Sequence, residues 1–480
     1  MNPKTRFSKF FKLAGYDQSS LDFLDIRIGV DIPVFLDPTL IKRMNSEWAS
    51  ECTSILQHFF DFLMQCVKDK NSSLGIRILS GLNERDEFHL GYSIGLSKGS
   101  GVSVGFATEI WESLSKSKAA ETGILEDLED TALFIHGIST DRISDAVCNI
   151  LRAPLIKYTQ DVCMFYGIPL EKVDAGQVWD LENNCWKNII TELPKTPYGK
   201  VILIPKSAVH KKISYQSDQY YRHYILTELQ HEHILKRSPL TRVLKDGALR
   251  VDKTRLIEEY GFTKDSITHQ TLGREQALDK YRNDRKTKAL PISAEDLSNI
   301  HNEKFKDIQE KLNDVLATNT GNAHAKQYED VIEKLLTPLF FDSLNYPTKQ
   351  ARINNGRKII DLRYTNYAAH GFFQWVAEKF GAPYVTIECK NYTKDIENPE
   401  VDQMIGRFNR RTGLFGIIFC REIKNKKLIL ERCKDAAKSD QGYIIVLTDD
   451  DLKEIVKEKR VSTHYNGYDY LKRKFDEIIN

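Results

Sequence analysis

Residues 384–390 have the sequence YVTIECK, and this stretch decides how the last third of the chain is interpreted. Its apolar and β-branched residues predict a strand, in which successive side chains point to opposite faces. One face would carry Val385, Ile387 and Cys389. Glu388 and Lys390 would project together from the other face. The stretch therefore predicts a carboxylate and an ammonium group side by side at the end of an apolar strand.

A second extended segment, KIIDLRY, lies just upstream and carries Asp361 between two apolar residues. A charged side chain can be accommodated at the open end of a sheet but not in its middle, where it would lose its hydration. We therefore expect Asp361 to lie at such an end. Two carboxylates and an ammonium group, from Asp361, Glu388 and Lys390, can converge there.

These three residue types match the needs of phosphodiester hydrolysis. Hard oxygen ligands hold Mg²⁺, which lowers the pKa of a bound water and neutralises charge that develops on the phosphate. Asp361 and Glu388 would be the ligands, the backbone carbonyl of Cys389 could add another, and Mn²⁺ is expected to substitute for Mg²⁺. Lys390 would orient or deprotonate the attacking water and stabilise the transition state.

A chance occurrence is the alternative, because Glu-x-Lys is a short pattern. It recurs at Glu422 and Lys424 without any accompanying context. Around Glu388 and Lys390 the context is richer: the strand is apolar, an acid ends an earlier strand, and helical patterns precede and follow. This context favours a site over coincidence.

With these motifs, residues 323–460 resemble the PD-(D/E)XK, or restriction-endonuclease-like, nucleases, and among them the Mrr-like and RecB-like groups. The resemblance implies that an acid on the first helix completes the metal site. The matching residue in AKQYEDVIEKLLTPLF is Glu329, for which a solvated helix charge is the alternative. Two features depart from the family pattern. Ile360 replaces the usual proline before Asp361, and a predicted helix, AHGFFQWVAEKFG, separates Asp361 from Glu388.

Many of these nucleases also carry a glutamine on the helix after the lysine, and Gln403 is the corresponding residue in NPEVDQMIGRFNRR. We predict a helix from Pro399 to Arg410, with Asn398 as its N-cap. Gln403 and Arg407 would lie four residues apart on one face, able to reach a phosphate or the attacking water. Arg407 and Arg410 are candidate nucleic-acid contacts.

The length of the chain predicts more than one domain, because single hydrophobic cores rarely grow beyond about 250 to 300 residues and this chain has 480. The predicted class is α/β (α+β). Residues 1–240 would form a mixed α/β domain for recognition or partner binding, and residues 241–320 a helical connector without strands. Residues 321–480 would form the nuclease-like domain, a mixed sheet flanked by helices.

Composition constrains partners and compartment. The 69 basic and 67 acidic residues nearly cancel, so affinity for a polyanion must come from local clusters of positive charge. The eight cysteines are scattered, without zinc spacing, and are expected to be reduced thiols. No stretch approaches the roughly 20 apolar residues of a membrane helix, so a cytoplasmic protein is expected.

The first half of the chain carries weaker signals. The glycine-rich segment from Gly95 to Gly105 lacks the order of a phosphate-binding loop, so a partner would have to supply any NTPase activity or trigger. The segment from Lys206 to Ile225 could grip a nucleic-acid backbone or cover a tyrosine-rich core with ordinary surface charge. Its basic and aromatic residues include Lys211, Lys212, Arg222, Tyr215, Tyr220 and Tyr221.

Together these patterns predict a Mg²⁺-dependent nuclease, with DNA endonuclease activity in restriction or anti-phage defence as the favoured function. The defence role rests on analogy with other free-standing domains of this kind. Two alternatives stay open. The chain could be a catalytically silent nuclease fold that senses nucleic acid or serves as an assembly scaffold. It could also be an interaction protein whose C-terminal domain is a dimerisation surface; the sequence leaves a homo-oligomer open.

Overall fold

The buried hydrophobic side chains form two separate clusters along the chain. The computed structural model describes residues 5–82, 86–91, 104–211, 214–341, 343–353, 358–461 and 468–480. One cluster contains side chains between Phe7 and Leu297, and the other contains side chains between Leu312 and Ile478. The fold is mixed α/β, with a mixed sheet flanked by helices in its C-terminal part, as the sequence predicted.

The part around the first cluster is mainly helical. Its helices are α1 (Phe7–Phe10), α2 (Pro38–Arg43), α3 (Glu47–Lys68), α4 (Ser72–Leu79), α5 (Val104–Ser115), α6 (Lys118–Thr122), α7 (Asp130–Phe134), α8 (Thr140–Ile150), α9 (Arg152–Tyr166), α10 (Ser217–Tyr220), α11 (Leu226–Leu235), α12 (Lys253–Tyr260), α13 (Lys264–Thr271), α14 (Glu275–Lys288) and α15 (Ala294–His301). A π-helical turn at Tyr221–Ile225 joins α10 to α11.

The strands of this part pair only two at a time within the described residues. They are β1 (Phe35–Leu36), β2 (Glu171–Asp180), β3 (Cys185–Leu193), β4 (Lys195–Thr196), β5 (Gly199–Lys200), β6 (Val209–His210), β7 (Arg242–Val243) and β8 (Leu249–Arg250). The pairs are β1 with β6, β2 with β3, β4 with β5, and β7 with β8, all antiparallel. The β7–β8 hairpin lies where the sequence predicted no strand, because two-residue strands leave no readable alternation.

The part around the second cluster contains the larger sheet. Its elements are α16 (Ile308–Ala317), α17 (Ala325–Leu339), β9 (Leu344–Ile353), β10 (Lys358–Asn366), α18 (Gly371–Phe380), β11 (Tyr384–Lys390), α19 (Asn398–Ile405), β12 (Phe415–Cys420), α20 (Lys426–Lys438), β13 (Tyr443–Leu447), α21 (Asp449–Val461) and α22 (Asp469–Ile479). Strand order is β13-β12-β11-β10-β9. The β9–β10 and β10–β11 pairs are antiparallel, and β11, β12 and β13 run parallel through crossovers containing α19 and α20.

The register between β10 and β11 positions the candidate site. Leu362 pairs with Ile387, and Arg363 pairs with Thr386. One further step along this register sets Asp361 opposite Glu388. Because residues that face each other across two strands point to the same side of a sheet, both carboxylates belong to one face.

Polar contacts join the two clusters. Lys311 Nζ on α16 donates hydrogen bonds to Ser20 Oγ at 2.6 Å and to Asp17 Oδ1 at 3.1 Å. Tyr16 Oη donates to Glu333 Oε2 on α17 at 2.5 Å. These contacts fix the sheet against the helical part of the chain.

All eight cysteines are free thiols, as the sequence predicted. None of the helices within the described residues combines the length and the apolar character that crossing a bilayer requires.

Candidate active site

Asp361 and Glu388 are linked to each other through the backbones of β10 and β11. The backbone N–H of Cys389 donates to Asp361 Oδ2 at 3.0 Å, and the backbone N–H of Asp361 approaches Glu388 Oε1 at 3.4 Å. Asp361 is half-buried, whereas Glu388 is 1% exposed. The two carboxylates therefore meet where the pairing of β10 with β11 ends. Asp361 lies within β10, which still pairs with β9 there, and not at the open end that the sequence predicted.

Lys390 contacts two candidate residues at once. Its Nζ donates to Glu388 Oε2 at 3.2 Å and to Gln403 Oε1 at 3.0 Å. Lys390 is 9% exposed, and Gln403 on α19 is exposed. The prediction that Glu388 and Lys390 share a face of the strand is confirmed by their direct contact.

Arg407 lies in a different place from the phosphate-facing position predicted for it. Its guanidinium forms an ion pair with Glu388 Oε1, and the residue is 5% exposed. The predicted helix was too long: α19 starts at Asn398, with Glu397 as N-cap in a reciprocal capping box with Glu400, and ends at Ile405. The chain then turns and brings Arg407 inward, while Arg410 stays exposed.

Burial and charge oppose each other at Glu388. The pKa of Glu388 is raised from its ordinary value of 4.5 to about 7, mainly by burial and also by the negative charge of Asp361. The positive charges of Arg407 and Lys390 act in the opposite direction and do not cancel the effect of burial. Near neutral pH this carboxyl group is thus expected to exchange a proton, unlike an ordinary glutamate.

We expect the raised pKa of Glu388 to make the metal-free fold less stable as pH rises. Because the folded pKa exceeds the unfolded one, the folded state binds more protons between pH 4.5 and about 7, and stability falls across this window. Between pH 4.5 and about 7 the free energy of unfolding of wild type should fall by about 3 kcal/mol relative to that of Glu388→Gln. This figure follows from about 1.4 kcal/mol for each unit of pKa shift. Urea unfolding of both proteins in EDTA measures it. A pH-independent difference between the two would contradict the assignment.

Glu329 on α17 is 9% exposed and lies 3.4 Å from Lys326 Nζ. Its negative charge is one cause, after burial and Asp361, of the strongly raised pKa of the Cys389 thiol, so it lies close to β11. Among the residues that the structure describes, no three His, Cys, Asp or Glu side chains are grouped closely enough to hold a metal. Glu329 is therefore not assembled with Asp361 and Glu388 into a three-ligand cluster.

The donor set fits Mg²⁺ in kind, because this ion uses one or two carboxylates and keeps several water or phosphate ligands. Asp361 and Glu388 supply two carboxylates on one face of the sheet. Lys390 and Arg407 already balance their formal charge, and Arg407 contacts the same carboxylate that a cation would use. The site thus offers two carboxylates of the kind that a divalent cation uses, and Arg407 already forms an ion pair with one of them.

In the basic and tyrosine-rich segment from Lys206 to Ile225, the tyrosines that the sequence singled out are buried, whereas Lys211 lies at the surface. Lys211 Nζ contacts Asp296 Oδ1 at 2.6 Å, and Tyr215, Tyr220 and Tyr221 are buried. The tyrosines therefore belong to the core, in agreement with the second interpretation of this segment. Lys212 lies outside the described residues, and so do residues 95–103 of the glycine-rich segment.

Sequence reasoning missed Arg363, which shares a face of β10 with Asp361 two residues away. Its guanidinium carbon lies 4.9 Å from the centre of the Tyr384 ring. The alternation rule that identified Lys390 would have found Arg363 as well. The ion pair between Arg407 and Glu388 left no comparable signal, because it depends on where α19 ends.

Residues 14–216 match a protein family described as a domain of unknown function, DUF8370. The matched stretch lies within the helical part of the chain and does not include β10, β11 or α19. Neither the curated proteins nor the solved structures contain a match to this chain.

Proposed function

We propose that the chain is a Mg²⁺-dependent nuclease that hydrolyses phosphodiester bonds, with DNA as the favoured substrate and endonucleolytic cleavage as the favoured mode. The observation that carries the proposal is the contact of Lys390 Nζ with Glu388 Oε2 and Gln403 Oε1 beside the half-buried carboxylate of Asp361. A lysine that contacts a carboxylate and an amide, with a second carboxylate on the same face of the sheet, suits the hydrolysis of a phosphodiester.

Each residue has a distinct role in this proposal. Asp361 and Glu388 would hold Mg²⁺, which would activate a water and neutralise the phosphate when bound. Lys390 would donate hydrogen bonds to the attacking water or to a phosphoryl oxygen as charge develops there. Gln403 would orient the ammonium group of Lys390, which it already contacts. The backbone carbonyl of Cys389 stays a further candidate ligand, and Mn²⁺ should replace Mg²⁺.

The wider setting of this activity is a proposal by analogy with the PD-(D/E)XK nucleases. A free-standing domain of this kind beside a separate helical part suits cytoplasmic restriction or anti-phage defence. The helical part, which includes the DUF8370 match, would then recognise the target, a partner or a trigger. A partner protein would supply any NTP-driven step.

Cleavage assays on the full chain test the proposal. Plasmid DNA, single-stranded DNA and RNA are incubated with Mg²⁺ or Mn²⁺, and wild type is compared with Asp361→Ala. We expect cleavage of at least one substrate that EDTA and Asp361→Ala both abolish. If the wild-type chain cuts nothing with either metal, or if Asp361→Ala cuts equally well, the nuclease proposal fails.

A second candidate function is a catalytically silent nuclease fold that binds nucleic acid or scaffolds an assembly. The ion pair between Arg407 and Glu388 favours it, because a buried carboxylate that already has two cationic partners needs no metal. On this alternative, substitutions of Asp361 and Lys390 would change stability but not chemistry.

Glu329→Gln tests the outermost residue of the proposed site. If Glu329 ligates the metal through water or after a small movement of α17, cleavage should need about tenfold more Mg²⁺ or fall by about tenfold, as for outer-shell substitutions. Mg²⁺ titrations of the cleavage rate measure this. Asp330→Asn, one residue away on the same helix, is the matched control. Equal behaviour of both variants and wild type would leave Glu329 as a partner of Lys326 without a role in cleavage.

A further inference from the structure

A cavity of about 390 Å³ lies between the helical part and the sheet. Its walls come from α3, α9, β9, β10 and β11. The volume falls within the range of about 300 to 1,000 Å³ that is typical of small-molecule sites. Arg363 and Thr365 of β10 line it, and they share the face of the strand that carries Asp361. The cavity is therefore a continuation of the candidate active-site face.

Aromatic side chains dominate the walls. The Tyr158 and Tyr346 rings lie 5.1 Å apart, and Tyr384 lies under the guanidinium of Arg363. Trp48 completes this side of the cavity. Tyr346 occupies a bulge in β9, with a left-handed φ of 55° that is rare outside glycine. Flat aromatic walls suit a planar ring as occupant.

Three buried polar atoms of the lining have no hydrogen-bond partner within the described part of the chain. They are Tyr166 Oη, Asn345 Oδ1 and Arg363 Nε. Asn345 is 5% exposed, and its Nδ2 already donates to the Phe341 carbonyl at 2.7 Å, which leaves the oxygen for another donor. Unpaired buried polar groups cost free energy. Because these three atoms are themselves buried, an occupant would pair with them only after a small movement of the side chains.

The charge of the lining restricts the occupant. Arg363 and Lys157 are outnumbered by four acids of the wall, Asp22, Asp161, Glu47 and Glu51. A phosphate group would be repelled by this excess of negative charge. Asp22 and Asp161 already accept hydrogen bonds from Tyr158 and Tyr346, so the exocyclic N–H groups of an uncharged ring would use Glu47 or Glu51 as acceptors. The cavity therefore favours a nucleobase and disfavours the phosphate attached to it.

Distance links the cavity to the cleavage site. Along a strand two residues span about 7 Å, so Arg363 lies about one nucleotide's reach from Asp361. A phosphate held at Asp361, Glu388 and Lys390 could thus keep its neighbouring base among the tyrosines. A base can leave its stack for a fitted pocket, as enzymes that do chemistry on bases show, at a cost of about a few kcal/mol.

We propose that this cavity receives one unpaired nucleobase of the strand whose phosphodiester lies at Asp361, Glu388 and Lys390. The proposal rests on the proposed function, because it assigns the base to the substrate strand. It makes the preferred substrate a single strand, or a duplex from which one base is displaced. A free nucleoside has the same ring chemistry and is the alternative source.

The experiment uses the full chain carrying Lys390→Ala, so that bound strands survive. A single-stranded DNA with one 2-aminopurine, moved along the strand in successive probes, reports stacking by quenching of its fluorescence. Free 2-aminopurine riboside is the second arm. Tyr384→Ala removes a wall, Tyr384→Phe keeps the ring, and Arg363→Gln provides an independent variant if Tyr384→Ala is unstable. Tyr198→Ala, outside the cavity, is the matched control.

We expect strong quenching at one position of the strand. Tyr384→Ala should weaken oligonucleotide binding by about 5- to 150-fold, the range for loss of one base–aromatic stack. Tyr384→Phe and Tyr198→Ala should bind within about threefold of the parent. Uniform quenching at every position, or unchanged affinity in both Tyr384→Ala and Arg363→Gln, would overturn the proposal. Quenching of the free riboside without that of the strand would assign the cavity to a free nucleoside and overturn it as well.

Wild-type cleavage of the same oligonucleotides separates this proposal from the nuclease proposal. Cleavage without position-specific quenching would contradict the proposed base pocket and support the proposed nuclease activity. Position-specific quenching without any cleavage would support the proposed base pocket and contradict the proposed nuclease activity.

Discussion

Lys390→Ala is expected to slow Mg²⁺-dependent cleavage by about 10²- to 10⁴-fold, the range for loss of a positioned proton donor or of a group that stabilises developing charge. The ammonium group of Lys390 contacts both Glu388 and Gln403, so its removal takes away the charge at the centre of the site. Single-turnover rates at saturating enzyme measure the effect on the chemical step.

Lys424→Ala is the matched control for this prediction. Glu422 and Lys424 repeat the Glu-x-Lys spacing of Glu388 and Lys390, but both are exposed and lie after β12. Lys424→Ala should therefore cleave at the wild-type rate. Because Lys390 is nearly buried, circular dichroism and thermal unfolding of both variants must accompany the rates. An unchanged rate in a folded Lys390→Ala protein would contradict the catalytic role of the lysine.

Arg407→Met is expected to lower the free energy of unfolding by about 3 kcal/mol in EDTA. Removing one partner of a buried ion pair leaves an uncompensated charge, which costs about 3 to 5 kcal/mol. Lys390 remains beside Glu388, so the lower end of that range applies. Mg²⁺ at about 100 times its dissociation constant should raise the free energy of unfolding of Arg407→Met by about 2.7 kcal/mol. The reason is that Arg407 no longer competes with the cation for Glu388.

This second prediction distinguishes the two candidate functions. Urea unfolding with EDTA or Mg²⁺ measures the recovery, and Arg410→Met serves as control because Arg410 is exposed. In a nuclease, Mg²⁺ stabilises Arg407→Met more than wild type. If Mg²⁺ changes the stability of both proteins equally, Arg407 is a structural partner of Glu388 and the silent fold gains support.

Local patterns in the sequence were sufficient to predict which side chains meet at the centre of the candidate site. Alternation along a strand places Glu388 beside Lys390, and the structure joins them directly. The expectation that Asp361 lies at the open end of a strand was wrong, because Asp361 is the fourth residue of β10, where the pairing with β11 ends but the pairing with β9 continues. The helix between Asp361 and Glu388 was also readable, and its presence did not prevent the two strands from pairing. These features depend on neighbours within about ten residues.

Features that depend on residues far apart in the chain could not be predicted from the sequence. The end of α19 at Ile405, and hence the inward turn of Arg407, follows from packing that the local pattern does not record. The cavity joins side chains as far apart as Trp48 and Tyr384, and no spacing in the sequence connects them. Sequence therefore predicted which charged residues meet on β10 and β11 better than it predicted what surrounds them.

The most direct test of the account is the number of Mn²⁺ ions that the full chain binds, measured by electron paramagnetic resonance with a single-stranded oligonucleotide present. Asp361→Asn is the comparison, because an amide oxygen can still accept the Cys389 N–H. Wild type should bind about one more ion per chain than this variant, since carboxylates are the ligands that such a cation prefers. Equal binding by both proteins would contradict it.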